Sequence, residues 1–253
     1  MISLKSSEEI AKLREAGKIV YQTHQYVKQF IKPGVTLLEL NKKCEDYIVK
    51  TCKSYPSFKG LYGFPAAVCI SVNDVVVHGI PDNYKLKEGD IVSIDIGASF
   101  KGYHGDSAWT YPVGKISKED EYLLKHTEES LYEGIKKAVP GNRVGDISAA
   151  VEAHAKKYDL GVVKELCGHG VGTKVHEEPD VPNYGTAGRG PLLREGMVIA
   201  IEPMLNMGGA DIYEEDDGWT IRTLDGSKSA HFEHTVAITK DGPKILTGEW
   251  KFG

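Results

Sequence analysis

The sequence has little that would tie it to a membrane, to nucleic acid or to an oxidising compartment. Its longest apolar run falls far short of the ~20 residues that span a bilayer, so no membrane partner is expected. It lacks a basic excess: the formal net charge is −5, which leaves no broad cationic face for nucleic acid. Only four cysteines occur, Cys44, Cys52, Cys69 and Cys167, with no CxxC pair among them. Free thiols in a reducing cytoplasm are the expectation. The opening MISLKSSEEIAKLREAG also lacks the charged-then-apolar layout of a secretory leader and turns at once into a helical pattern.

What is present is an ordinary globular balance. Hydrophobic residues make up 41% and charged residues 26% of 253, enough to fill the core of one large α/β domain or two small ones. Ser6 and Glu9 have the spacing of a capping box. Ile10, Leu13, Gly17, Val20, His24, Val27 and Ile31 follow in steps of three and four, an amphipathic helix with a histidine on its inner stripe, ending at Pro33-Gly34. A second helix is predicted from about Thr36, with Leu37, Leu40, Cys44 and Tyr47 inward. Strand-like runs AAVCISV and VVVHGI then flank a turn at Asn73-Asp74. The stretch EGDIVSIDIGASFKGYHGDSAWTYP, from Glu88 to Pro112, reads as a hairpin. Further helices are predicted from about Ser117 to Val139 and from Val144 to Tyr158, before strand-like MVIAIEP and HFEHTVAIT.

This order of two helices and then strands occurs twice, and short segments repeat with it. Pro33-Gly34 recurs as Pro140-Gly141, and KEGDIVSID recurs as REGMVIAIE, both at an offset of 107 residues (140 − 33 and 202 − 95). Between them VHGIPDN resembles VHEEPDVPN at an offset of 98 (176 − 78). The repeat points to two similar halves, about 1–115 and 116–253, packed about a pseudo-twofold axis within one catalytic domain. It equates Asp95 with Glu202, both taken to end apolar strands, and His78 with His176.

The hairpin poses a charge problem. A loop centred between Phe100 and Lys101 sets Asp95 opposite Asp106; one centred between Lys101 and Gly102 makes them diagonal neighbours. Either register puts both acids on one face, roughly 5–8 Å apart. Two bare carboxylates so close among buried strand residues must share a proton or hold a cation. Glu202 in VIAIEPM and Glu233 in AHFEHTVAI would join them if the second pair of strands also closes. His169 lies between glycines in GHGVG, where backbone can approach closely and expose an imidazole. Four carboxylates and one imidazole suit Mn²⁺, Fe²⁺ or Co²⁺ better than a thiolate-type zinc site. They are more ligands than one ion requires, and two ions about 3.5–4 Å apart would use them all. Two other patterns lead nowhere: GDSA at Ser107 has no nucleophile elbow around it, and HEEPD at His176 lacks the second histidine of HExxH.

These residues together resemble the type I methionine aminopeptidases over essentially the whole chain. The likeness is carried by VHGIPD with His78, IDIG with Asp95, YHGDSAWT with Asp106, GHGVG with His169, VHEEP with His176, AIEPM with Glu202 and FEHT with Glu233. It implies an α/β (α+β) pita-bread fold: two pseudo-symmetric halves, with a central antiparallel sheet flanked by helices. It implies two divalent ions, of Co²⁺, Mn²⁺, Fe²⁺ or Zn²⁺, with Asp95 chelating one, Asp106 and Glu233 bridging both, and His169 and Glu202 completing the other. Glu202 would relay the proton of an attacking water, while His78 and His176 hydrogen-bond the scissile peptide. The substrates would be N-termini of nascent polypeptides with a small second residue, met in the cytoplasm by a monomer or during transient ribosome contact. The first side chain would enter a pocket of Phe64, Cys69 and Trp219, with Tyr62 nearby. Leu61 and Val175 stand where many relatives carry aromatic residues, which implies a roomier pocket. Two rival readings compete with this one. A prolidase or Xaa-Pro aminopeptidase usually carries an extra N-terminal domain, for which the position of His78 leaves no room. A metal-free peptide-binding module should have lost ligands, and all five are present.

Overall fold

The computed structural model describes residues 2–248. Its four long helices are α1 (Ser7–Val27), α2 (Leu37–Asp46), α3 (Lys118–Ile135) and α4 (Val144–Lys157). Three of them begin where a hydroxyl can satisfy free backbone N–H groups. Ser6 with Glu9, Thr36 with Glu39 and Ser117 with Asp120 each form a reciprocal capping box. Two helices stop earlier than the apolar spacing predicts. α1 gives way at Val27 to a tight 3₁₀ turn, and Ile31 is already extended (φ −74°, ψ 104°), as a chain approaching Pro33 prefers. α3 ends at Ile135 and closes in i→i+3 bonds, Lys137 N to Gly134 O and Ala138 N to Ile135 O.

All strand pairing among the described residues is antiparallel, in four sheets. The hairpin Ile91–Phe100/Tyr103–Pro112 turns on Lys101 and Gly102, both at positive φ, which matches the twist of the strands. Cys69–Val72 lies on its other edge, with Cys69 opposite Asp95. Val75–Val77 forms no ladder with Cys69–Val72, although Ile70 N–H donates to the Gly79 carbonyl at 2.9 Å; beyond the Asn73-Asp74 turn it joins Ile221–Thr223 in a different sheet. The largest sheet runs in the order Gly242–Ile245, His234–Thr239, Val198–Ile201, Cys167–Gly170, Glu177–Pro182.

The two halves share local pairing as well as sequence. Isolated bridges join Thr36 to Lys85 and Arg143 to Leu192, again 107 residues apart (143 − 36 and 192 − 85). Each half has its own core. Val20, Leu40, Ile70 and Ile94 pack under α1 and α2; Leu123, Ile147, Ile199 and Val236 pack under α3 and α4. Trp109 touches both.

The seam between the halves is a layer of buried hydroxyls. Ser107 Oγ donates to the Glu233 carbonyl (2.6 Å), Thr235 Oγ1 to that of Asp106 (2.7 Å) and Thr110 Oγ1 to that of His231 (2.8 Å). Each satisfies a carbonyl that the sheet ladders leave over. Behind the hairpin, α1 crosses at backbone contact, so that a Cβ on Gly105 would stand 2.6 Å from the Gly17 nitrogen. Beside this crossing His24 is a satisfied core residue. Its Nε2–H donates to the Ser107 carbonyl and its Nδ1 accepts from the Tyr111 hydroxyl, both at 2.9 Å. Burial holds its pKa down to about 4.

Candidate metal centre

The hairpin register settles the relation between its two acids. Gly97 faces Asp106 and Ala108 faces Asp95, so the carboxylates are diagonal neighbours on one face. Asp95 stands in the middle of its strand, not at the end the sequence suggested. The second pair arises from another ladder. His234 pairs with Ile201, which leaves Glu233 and Glu202 adjoining just past the last hydrogen-bonded pair. Glu233 is then fixed by its N–H, which donates to the Ala108 carbonyl at 2.9 Å. His169 sits on the strand Cys167–Gly170 between two glycines that leave no room for a side chain. A Cβ on Gly168 or Gly170 would lie 2.3 Å from the Ala200 or Glu178 carbonyl oxygen. Its Nδ1 lies 2.9 Å from the Gly170 carbonyl, which leaves Nε2 aimed at the acids: 3.4 Å from Glu202 Oε1 and 3.8 Å from Asp106 Oδ2.

These side chains form two overlapping groups. Ligand atoms of Asp95, Asp106 and Glu233 all lie within 4.8 Å of one another, as do those of His169, Glu202 and Glu233. One oxygen each of Asp95, Asp106, Glu202 and Glu233 is buried with no hydrogen-bond partner. A buried carboxylate oxygen is rarely left so, because desolvation penalises it. Burial, more than mutual repulsion, raises all four acids. Asp95 and Glu202 move up to about 7, and Asp106 and Glu233 well above the carboxylate range. Burial also lowers His169, keeping the imidazole neutral and its lone pair free. Hard oxygen donors with one neutral imidazole, arranged around orphaned atoms, fit divalent cations.

The cluster forms the floor of a cavity of about 360 Å³. His78 and His176 both line it. His78 adopts φ 58°, an unusual backbone state for a residue other than glycine, and is largely shut from water. Burial and then the neighbouring His231 hold its pKa down to about 4. His176 is more open. Its ring meets His169 edge-on at 4.4 Å and is stacked by Tyr62 at 5.8 Å. Its ligand atom also falls within 4.8 Å of those of Asp106 and His169, nearer the cluster than its sequence position suggested.

One wall is apolar. Phe58, Phe64, Cys69 and Val175 are buried there, with Leu61 and Trp219 packed against them, and Trp219 meets Phe64 edge-on at 5.1 Å. Burial pushes the Cys69 thiol up, so it lines the wall as a neutral group. Tyr62 is 74% exposed and belongs to the rim.

Of the lining residues that no motif marks, two matter to the chemistry. Phe58 completes the apolar wall, six residues before Phe64. His231 is fully buried, with Nε2 3.4 Å from Glu202 Oε2 and no hydrogen-bond partner at that atom. It lies two residues before Glu233, and strand alternation puts positions two apart on one face. That signal was available in AHFEHT.

A buried cluster of ligand-type side chains under an apolar pocket, at the seam of two similar halves, is the layout of a metal-dependent enzyme. The model of metallopeptidase family M24 matches residues 11–240. Methionine aminopeptidase 1 of Bacillus subtilis is 52% identical over 98% of this chain and 99% of its own. The crystal structure of methionine aminopeptidase from Rickettsia prowazekii is 39% identical, covers 98% of this chain and 100% of its own, and superposes with a TM-score of 0.96. Prolidase from Pyrococcus furiosus is more distant, 25% identical with a TM-score of 0.78, and this chain covers 66% of it. The chain belongs to metallopeptidase family M24 and, within it, to the methionine aminopeptidases.

Proposed function

We propose that the chain removes an N-terminal methionine from polypeptides whose second residue is small, using two divalent cations. The reading is carried by the orphaned oxygens of Asp95, Asp106, Glu202 and Glu233 converging with His169 at the floor of an apolar-walled cavity. Asp95, Asp106 and Glu233 would hold one ion and His169, Glu202 and Glu233 the other, with Asp106 near enough to His169 to be shared. When bound, the cations supply a water acidic enough to attack near neutral pH and an anchor for the substrate amine.

The side chains do the rest. Glu202 takes the proton of the attacking group and returns it to the leaving amine. His231 flanks Glu202 and restrains it. His78, kept neutral by burial, and the more open His176, whose pKa is lowered by partial desolvation and then by His78, donate hydrogen bonds to the scissile peptide, one toward the developing oxyanion and one toward the amide. Phe64, Trp219 and Cys69 enclose the methionine side chain, where polarizable apolar contact suits a thioether. No half holds all five ligands, so the two act as one catalytic unit. Nascent chains in the cytoplasm, reached through transient ribosome contact, are the natural source of such N-termini.

The test is a series of tripeptides varied at the first two positions and compared by kcat/KM with several metals. Met-Ala and Met-Gly peptides should be cut well, Met-Lys and Met-Leu poorly, and norleucine should replace methionine. Equal rates for Met-Ala and Met-Lys, or equal cleavage of an N-acetylated peptide, would overturn the reading.

A further inference from the structure

A second cluster of ligand-type side chains lies on the helical layer of the second half. His126 and Glu129 are one turn apart on α3, and His154 faces them from α4. None of the three lines the cavity described above. Residues i and i+3 share a helix face, so His126 and Glu129 present their heads together. Their ligand atoms and that of His154 all lie within 4.8 Å of one another.

The distances are close to those a small cation imposes. With ligands roughly 2.0–2.1 Å from a tetrahedral zinc-type ion, neighbouring donor atoms stand about 3.3 Å apart. Here Glu129 Oε2 is 2.9 Å from His126 Nδ1 and 3.5 Å from His154 Nε2. His126 Nδ1 already has a hydrogen bond with Glu129, but His154 Nε2 is buried and has none. A third donor thus points at a carboxylate oxygen without engaging it. Burial lowers the His154 pKa, which keeps the ring in its neutral, ligating form.

The rings are held in place from behind. Tyr158 stacks on His126 at 3.6 Å and lies 4.7 Å from His154, while Tyr122 meets His126 edge-on at 4.4 Å. The Tyr122 hydroxyl donates to the Tyr158 carbonyl at 3.1 Å, tying the two walls together. The Glu129 side chain is 42% exposed, so the cluster opens to solvent on one side. That gives an entry path from the Glu129 side.

We propose that His126, Glu129 and His154 form a structural cation site that takes a divalent ion of the zinc class and clips α3 to α4. Two imidazoles and one carboxylate select Zn²⁺, Co²⁺ or Ni²⁺ over Mg²⁺ or Ca²⁺. The site rests on none of the residues assigned to catalysis.

The experiment uses the full chain, stripped with a chelator and dialysed against graded free Zn²⁺, with bound metal counted by elemental analysis. Wild type should bind one more equivalent than Glu129→Gln or His154→Ala at the same free zinc. Loss of a ligand should weaken that equivalent beyond the roughly 10–100-fold carried by outer hydrogen-bond partners of a metal. Glu129→Gln keeps the size of a partly exposed side chain, and aminopeptidase activity equal to wild type will show that it has folded. In Co²⁺-loaded protein, the wild-type minus Glu129→Gln spectrum should contain visible bands of a four- or five-coordinate ion. Equal stoichiometry and zinc affinity in all three proteins would overturn the proposal, leaving the cluster a hydrogen-bonded helix contact.

Discussion

Replacing Asp106 with asparagine should stabilise the metal-free protein at neutral pH while damaging the metal-loaded one. Asp106 is buried beside Asp95 and Glu202, and both neighbours have pKa values moved up to about 7. In the unfolded chain they titrate near their ordinary values of 3.8 and 4.5. The sign follows from the raised folded values. Below about pH 4 these acids are protonated in both states and the cluster is harmless. As pH rises through 4–7 the unfolded chain sheds its protons, while the folded cluster must keep them or bear crowded charge. Stability is lost across that window. A rise of about three pH units corresponds to roughly 4 kcal/mol for one group, an upper bound because the acids share their protons. Removing one member should recover a fraction of it, about 1–3 kcal/mol. For a chain of this length, each kcal/mol moves Tm by about 2–4 °C. Thermal unfolding of chelator-treated wild type and Asp106→Asn at pH 4.5 and 7.5 tests this. The variant should melt several degrees higher at pH 7.5, with the advantage shrunken at pH 4.5. Equal melting at pH 7.5, or a variant uniformly less stable at both pH values, would refute the account of a cluster under strain without its cations.

Other changes separate the roles of neighbouring residues. Asp106→Asn should lower the metal content and the activity of the loaded enzyme together; two retained ions with near-normal turnover would show that Asp106 is no ligand. His78→Ala and His176→Ala should keep their metal by elemental analysis but lose roughly 10²–10³-fold in kcat, the loss expected of an oxyanion-type donor. Metal loss in His176→Ala would instead make it a ligand, which its nearness to Asp106 and His169 makes a pointed test. His231→Ala should weaken metal binding by about 10–100-fold if it restrains Glu202, and an unchanged binding isotherm would remove it from the site. Gly105→Ala should be strongly destabilising in chemical denaturation, since its methyl meets the backbone of Ala16 and Gly17, which cannot swing aside as a side chain could.

Much of the site was legible because its residues break local rules. Acids within apolar strands at repeat-matched positions, and a histidine held between glycines, are costly unless they serve something. Helix starts were legible from Ser6, Thr36 and Ser117, because capping is decided within four residues. Helix ends were less so. The apolar spacing of α1 runs on to Ile31, but the chain leaves the helix at Val27 on its way to Pro33. The hairpin register was narrowed to two choices, and the turn at Lys101-Gly102 selected the diagonal one. What local pattern cannot convey is the choice of a distant strand partner. Nothing in VVVHGI says that Val75–Val77 pairs with Ile221–Thr223. His231 was lost in a run that reads as core, although its spacing from Glu233 placed it on the site face.

The hydroxyl stitches between Ser107, Thr110 and Thr235 and the opposite half bear on how the enzyme is made. Asp95 and Glu233 are separated by 138 residues (233 − 95), so one wall of the metal cluster leaves the ribosome well before the other. At about 5–20 residues per second, that gap lasts roughly 7–28 s. Throughout it, Asp106 and Ser107 lack the carbonyl and hydroxyl partners that Glu233 and Thr235 later provide. A growing chain therefore carries no peptidase activity until the segment around Glu233 has been synthesised. The same delay leaves a finished hairpin bearing Asp95 and Asp106 without the acids of the second half, so the strands around Glu233 act as the step that arms the molecule.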